Sequence, residues 1–221
     1  MRSGEKVILA LDVDNFERAK YFVDLLYPEI KIFKVGIHLF TACGPQVVEY
    51  IEKKGAEVFL DLKFFDIPNT VAQAVRQAVR LKVKMLTMHI LGDEEMIKAA
   101  ITAADAEANL LKTKRPLLVG VTVLTSKETT SSDVLILARL GVESGLDGVV
   151  CSAREVAFLK KEIKQDFLAV TPGIRPKEAQ SNDQKRTATA KEAIEAGSDY
   201  LVIGRPILEA KDPLSVVKGL F

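Results

Sequence analysis

The chain has 221 residues, and at roughly 150 residues per domain it is expected to form one large domain spanning residues 1–221. Hydrophobic residues make up 48% and charged residues 28%, which supports a buried core under a solvated surface and excludes disorder over most of the length. Lys and Arg number 31 against 30 Asp and Glu, and a net charge of +1 excludes an overall field that would hold nucleic acid or an anionic membrane. An anionic ligand would have to be caught by local groups.

The first stretch, MRSGEKVILALDVDNFERA, holds a short apolar run interrupted by Asp12 and Asp14, too short for the core of a signal peptide or for a membrane span. A soluble cytoplasmic protein is expected. Lys6 to Leu11 reads as a strand, and Asn15, Ala19, Phe22, Val23 and Leu26 follow in helical rhythm. Further apolar runs rich in Val, Ile and Leu are Lys31–Val35, Glu57–Leu62, Lys84–His89, Leu117–Val123, Gly148–Cys151, Phe167–Val170 and Tyr200–Ile203. Each leads into a polar or Gly-containing turn and then a helical pattern, giving eight units of about 28 residues.

Continuous apolar strands imply burial on both faces, and alternation with helices implies a parallel sheet with right-handed crossovers. Eight units favour an α/β fold of the closed (β/α)8 barrel type over an open doubly wound sheet. No GxGxxG follows any strand, as a dinucleotide-binding sheet would need. Two polar segments, Ser126–Asp133 and Arg175–Arg186, follow strands five and seven, at the end where barrels place their chemistry, and the second reads as a mobile loop. Cys43 and Cys151 stand far apart with no CxxC spacing, so both are expected to be reduced core residues.

Strand three and its turn read Asp61-Leu62-Lys63-Phe64-Phe65-Asp66-Ile67-Pro68-Asn69-Thr70. Asp61 and Lys63 are two apart and project to one side of a strand, with Leu60, Leu62 and Phe64 on the other. Buried charges need partners, so these two predict a network that includes Asp66. An ion pair that only fixes the barrel is the plainer alternative. Asp12 and Lys34 end strands one and two, which would bring Asp, Lys and Asp-x-Lys to one mouth; Asp14 and Lys31 read as surface charges.

Across the mouth, Thr171-Pro172-Gly173-Ile174-Arg175 and Gly204-Arg205-Pro206 follow strands seven and eight, with Gln184 in the polar segment between. Glycines that let backbone N–H groups approach, and arginines with a planar fork, suit a phosphate there. Pro206 suits the first turn of a helix. Thr125 could offer a hydroxyl to a head group or cap a turn. His89 reads as a hydrogen-bonded structural histidine and His38 as packing; with no HExxH or paired spacing, no histidine-based metal site is expected. Lys160–Lys164 reads as a solvated face.

With these residues in view, the sequence resembles the orotidine 5′-phosphate decarboxylase family. The resemblance lies in LDVDNFERA (Leu11–Ala19), KVG (Lys34–Gly36), DLKFFDIPNTV (Asp61–Val71), VTVLTS (Val121–Ser126), TPGIR (Thr171–Arg175), DQKR (Asp183–Arg186) and IGRPI (Ile203–Ile207), in order across nearly the whole chain. Asp-x-Lys-x-x-Asp alone is shared with related barrels, so the full set is the discriminating feature. Related magnesium-dependent sugar-phosphate decarboxylases and synthases resemble it too, but carry an acidic residue where Lys34 stands, and a lysine there would repel Mg2+. Phe65 stands where many bacterial members have His, and Leu91-Gly92-Asp93 where a small-residue run is usual.

The resemblance implies decarboxylation of orotidine 5′-phosphate to UMP in pyrimidine biosynthesis without a cofactor or metal. It implies that Lys63 protonates C6 between Asp61 and Asp66, that Asp12 and Lys34 bind ribose hydroxyls, and that Thr125 contacts the pyrimidine. Arg175, Gln184, Gly204 and Arg205 would take the phosphate. Asp66, Ile67 and Thr70 would reach into a partner's site, which implies a homodimer. The alternatives are the magnesium-dependent sugar-phosphate lyase and a non-catalytic nucleotide-phosphate-binding protein.

Overall fold

The runs that read as strands are strands because both their faces are covered. β1 (Val7–Ala10), β2 (Ile32–Gly36) and the first half of β3 (Glu57–Phe64) are buried almost without a break. They are followed by β4 (Met85–His89), β5 (Leu117–Val121), β6 (Gly148–Val150), β7 (Leu168–Thr171) and β8 (Tyr200–Ile203). All pair in parallel with their sequence neighbours, and β1 pairs with β8 through Val7–Leu201, Ile8–Val202 and Leu9–Ile203, closing the sheet into a barrel. The fold is the expected (β/α)8 barrel. The computed structural model describes residues 6–124, 129–175 and 187–220.

Helices α1 (Phe16–Leu26), α2 (Ile37–Cys43), α3 (Gln46–Lys53), α4 (Pro68–Arg80), α5 (Asp93–Leu111), α6 (Ser131–Glu143), α7 (Ala153–Glu162) and α8 (Ala190–Glu195) wrap the sheet, and short α9 (Arg205–Leu208) and α10 (Pro213–Lys218) follow β8. Local chemistry starts several of them. Asn15 Oδ1 accepts the Arg18 N–H at 2.9 Å to cap α1, and Thr130 and Asp133 form a reciprocal capping box on α6. The apolar stripe foreseen on α1 is buried at Ala19, Phe22, Val23 and Leu26.

Two apolar layers result from the two-residue period of the strands. Outward residues such as Val7, Leu9, Phe33, Val58 and Leu60 meet the helices in the main core, whereas Ile8, Ile32, Phe59, Met85, Val119, Val170 and Tyr200 fill the barrel itself. Cys151 is buried and Cys43 half-buried, both as free thiols. The N-terminal end of the sheet is tied by carboxylates: Asp147 Oδ2 accepts the Leu118 N–H and pairs with Arg115, both at 2.7 Å. Asp199 Oδ2 accepts the Ala169 N–H at 2.8 Å and pairs with Lys160 at 3.1 Å. Lys160 is exposed, as expected of a solvated face, and is tethered there by this pair.

One strand departs from regularity. Phe59 and Leu60 pair with Met85 and Leu86, but the next pairing is Phe64 with Met88, so β3 advances four residues while β4 advances two. The bulge holds Asp61, Leu62 and Lys63, and Lys63 lies in the left-handed region at φ 52°. Among the described residues no helix is long and apolar enough to cross a membrane.

Candidate active site

The same two-residue period that builds the barrel plug sets the floor of the site. One inward step beyond Ile32, Phe59, Met85 and Val119, the strands present Lys34, Asp61, Thr87 and Val121. Asp12 follows the end of β1. Three polar side chains thus stand side by side on β2, β3 and β4; Lys34 and Asp61 line the cavity with Val121, Val150, Val170 and Val202 of β5 to β8, whereas the fully buried Thr87 does not. One wall is charged and the other is apolar.

The charged wall alternates in sign. Lys34 Nζ lies 3.0 Å from Asp12 Oδ1 and 3.6 Å from Asp61 Oδ2, and Lys63 Nζ lies 2.8 Å from Asp61 Oδ1. The side chains of Lys34 and Asp61 are 10% and 13% exposed, against 29% for Lys63 and 60% for Asp12, so the outer groups of the row remain open to a ligand. Gly36 makes room for this packing: a Cβ there would sit 3.0 Å from Lys34 Nζ. Burial pushes the Asp61 carboxyl up, but the nearby Lys34 and Lys63 ammoniums and hydrogen bonds from Lys63 and Thr87 outweigh it and hold it below its ordinary value.

The rim opposite gathers glycines and arginines. Pro172, Gly173, Arg175, Gly204 and Arg205 line the cavity with Asp12, Lys34, Asp61 and Lys63. Arg175 is only 8% exposed, and its Nε has no hydrogen-bond partner among the described residues. A guanidinium withdrawn this far from water needs a negative partner, and a ligand in the cavity can provide it. Its backbone is held in place, since the Arg175 N–H donates to the Ala188 carbonyl at 2.9 Å and Ile174 bridges to Ala188. Arg205 opens α9 with Pro206 in the first turn, as expected.

A pattern for the Orotidine 5'-phosphate decarboxylase / HUMPS family matches residues 5–220. The chain belongs to this family. It is 50% identical to the orotidine 5'-phosphate decarboxylase of Hydrogenovibrio crunogenus, over 97% of this chain and 94% of that one. The corresponding Vibrio campbellii protein is 48% identical, over 98% and 96%. Among solved structures, orotidine 5'-phosphate decarboxylase from Lactobacillus acidophilus superposes with a TM-score of 0.85 at 37% identity, covering 98% of this chain and 97% of that chain.

Asp12, Lys34, Asp61, Lys63, Arg175, Gly204 and Arg205 all line one cavity. Asp66 does not join them. It is exposed, its Oδ1 accepts the N–H of Ile67 at 2.7 Å, and it has no ion pair with Lys63. The backbone has left the barrel by Phe65 to enter α4 at Pro68, which carries Asp66, the 67% exposed Ile67 and the exposed Thr70 away from their own chain's cavity. The expected network of Asp61, Lys63 and Asp66 is therefore not assembled within one chain.

His38 also differs from expectation. Its side chain is 63% exposed and faces Asp14 at 3.5 Å, because position 38 falls on the outer side of α2 while Leu39 takes the buried one. His89 is half-buried with its ring tilted against Phe65, centroids 5.7 Å apart. Thr125 and Gln184 lie outside the described residues. Thr87 escaped the sequence reading although it is fully buried beside Asp61. Its signal was available: it stands two residues beyond Met85, at the inward position that follows the apolar plug.

Proposed function

We propose that this enzyme of the orotidine 5′-phosphate decarboxylase family converts orotidine 5′-phosphate to UMP and carbon dioxide, as a carboxy-lyase of pyrimidine biosynthesis. The observation that carries the reading is one cavity that joins a Lys63–Asp61–Lys34–Asp12 row to the buried Arg175 and to Arg205. The bond between C6 and the carboxyl carbon breaks, its electron pair stays on C6, and carbon dioxide leaves. Lys63 delivers its ammonium proton to C6 and regains one from solvent. A positive charge where negative charge develops stabilises the transition state more than the ground state.

Asp61 holds the Lys63 ammonium in place and presents negative charge near the departing carboxylate. Asp12 and Lys34 bind ribose hydroxyls, the valine wall and Thr125 receive the pyrimidine, and Arg175, Gln184, Gly204 and Arg205 take the phosphate. Phosphate binding far from C6 contributes energy that positions the reacting carbon. A divalent cation does not fit the charged wall. The space between Asp12 and Asp61 that could attract one holds the Lys34 ammonium, which would repel it.

The functional unit is a homodimer with shared sites. Asp66, Ile67 and Thr70 extend away from their own cavity, and Ile37, Phe65, Ile67 and Leu91 are each more than half exposed at the same end of adjacent strands β2, β3 and β4. Such an apolar edge suits an isologous partner, which would receive Asp66 beside its own Lys63. Two free thiols agree with a reducing cytoplasm.

The direct test is release of carbon dioxide and formation of UMP from orotidine 5′-phosphate by purified protein after thorough chelation with EDTA. Undiminished turnover is expected. Loss on chelation would favour the magnesium-dependent reading, and UMP binding without decarboxylation a nucleotide-binding role.

A further inference from the structure

We propose that the Thr87 hydroxyl is a positioning group that holds the β3 bulge in the form that presents Lys63 to the substrate. The inference rests on the assignment of Lys63 as proton donor. Thr87 stands opposite the bulge, between Leu86 and Met88, the β4 residues that pair with Leu60 and Phe64 on either side of it. A threonine hydroxyl offers one proton and two lone pairs, and here it is used from both sides. Its Oγ1 accepts the Lys63 backbone N–H at 2.9 Å and donates to Asp61 Oδ1 at 2.9 Å.

Each bond addresses a specific difficulty. Lys63 has φ 52°, a conformation unfavourable for a residue with a side chain, and it persists only where the surroundings hold it. The bulge takes the Lys63 N–H out of the regular ladder with β4, and the Thr87 oxygen supplies the acceptor it would otherwise lack. The second bond fixes Asp61 Oδ1, the same oxygen that receives Lys63 Nζ at 2.8 Å. Backbone and side chain of Lys63 are thus both referenced to one buried oxygen, which is 0% exposed with its residue and does not line the cavity. Thr87 touches neither substrate nor reacting atoms in this arrangement; it acts through Lys63 and Asp61.

Thr87→Val and Thr87→Ser separate this role from simple packing. Valine keeps the branched shape and loses the hydroxyl, and serine does the opposite. A positioning hydroxyl predicts that Thr87→Val lowers kcat roughly 10- to 100-fold while KM and UMP affinity change by less than about threefold, and that Thr87→Ser keeps kcat within about threefold of wild type. If valine at this site prevents folding, Thr87→Ala removes the same hydroxyl without placing a methyl beside the carboxylate, and its kcat is compared with that of Thr87→Ser.

Wild-type kcat in Thr87→Val, or equal kcat in Thr87→Ala and Thr87→Ser, overturns the proposal. So does a loss confined to KM. Lys63→Ala measured in parallel keeps the two inferences apart: turnover in that variant removes the proton-donor assignment, whereas an inactive Lys63→Ala beside an unimpaired Thr87→Val removes only the role of Thr87.

Discussion

Lys63 Nζ lies 2.8 Å from Asp61 Oδ1, although only Leu62 separates the two residues and Lys63 adopts a left-handed backbone. The pair sets the Lys63 amine beside a fixed negative charge in the cavity, where the proposed reaction needs a proton donor. General acid catalysis typically contributes about 10²- to 10⁴-fold, so Lys63→Ala should lower turnover by at least that factor while UMP binding largely survives. Wild-type-like carbon dioxide release from this variant would rule out Lys63 as the donor.

Lys34 should control the acid limit of stability. The folded Asp61 carboxyl titrates below its ordinary 3.8, so the folded state binds fewer protons than the unfolded chain around that pH. Its contribution to stability is present above 3.8 and is lost as pH falls through the lower folded value. Removing Lys34 leaves burial opposed only by Lys63 and the hydrogen bonds. Lys34→Met should therefore lose stability at a higher pH than wild type, and should be less stable even at neutral pH, by less than the roughly 3–5 kcal/mol of a fully orphaned buried charge because Lys63 remains. Urea midpoints measured from neutral to acid pH check this; superimposable pH profiles would contradict it.

Arg205 lines the cavity at the rim. A hydrogen bond to a charged group contributes about 1.5–3 kcal/mol, so Arg205→Ala should weaken orotidine 5′-phosphate and UMP about 10- to 100-fold. The bare nucleosides should scarcely respond. Equal losses with and without the phosphate would remove Arg205 from the phosphate site.

Shared sites predict complementation between subunits. A dimer of one Lys63→Ala and one Asp66→Asn subunit has one site with both lesions and one with neither. Equal mixing of two inactive parents should therefore restore about a quarter of wild-type activity once subunits have exchanged at random. No recovery despite demonstrated exchange, read for example by labelled subunits, would place Asp66 at its own chain's site.

Much of the architecture is local and therefore legible in sequence. Buried parallel strands have no solvent face, so Val7–Ala10, Ile32–Gly36 and Met85–His89 announce themselves as mainly apolar runs without alternation, and the structure moves their ends by only a residue or two. The strand period also foretold that Lys34 and Asp61 point into the barrel, and chain order placed Gly204 and Arg205 at the same mouth. His38 misled because a single histidine beside Leu39 and Phe40 looks apolar in sequence, whereas one helical step separates the buried face from the open one.

What sequence alone determined is the set of residues available to the site, because strand period and strand ends follow from local pattern. Tertiary structure decided how they combine. Closure of β1 on β8 joins residues almost the whole chain apart, and the β3 bulge exists only against β4, where Thr87 accepts the Lys63 N–H. Asp66 left the network for the same reason. Its direction is set by where the chain turns into α4, a matter of packing between elements that spacing along one strand does not encode.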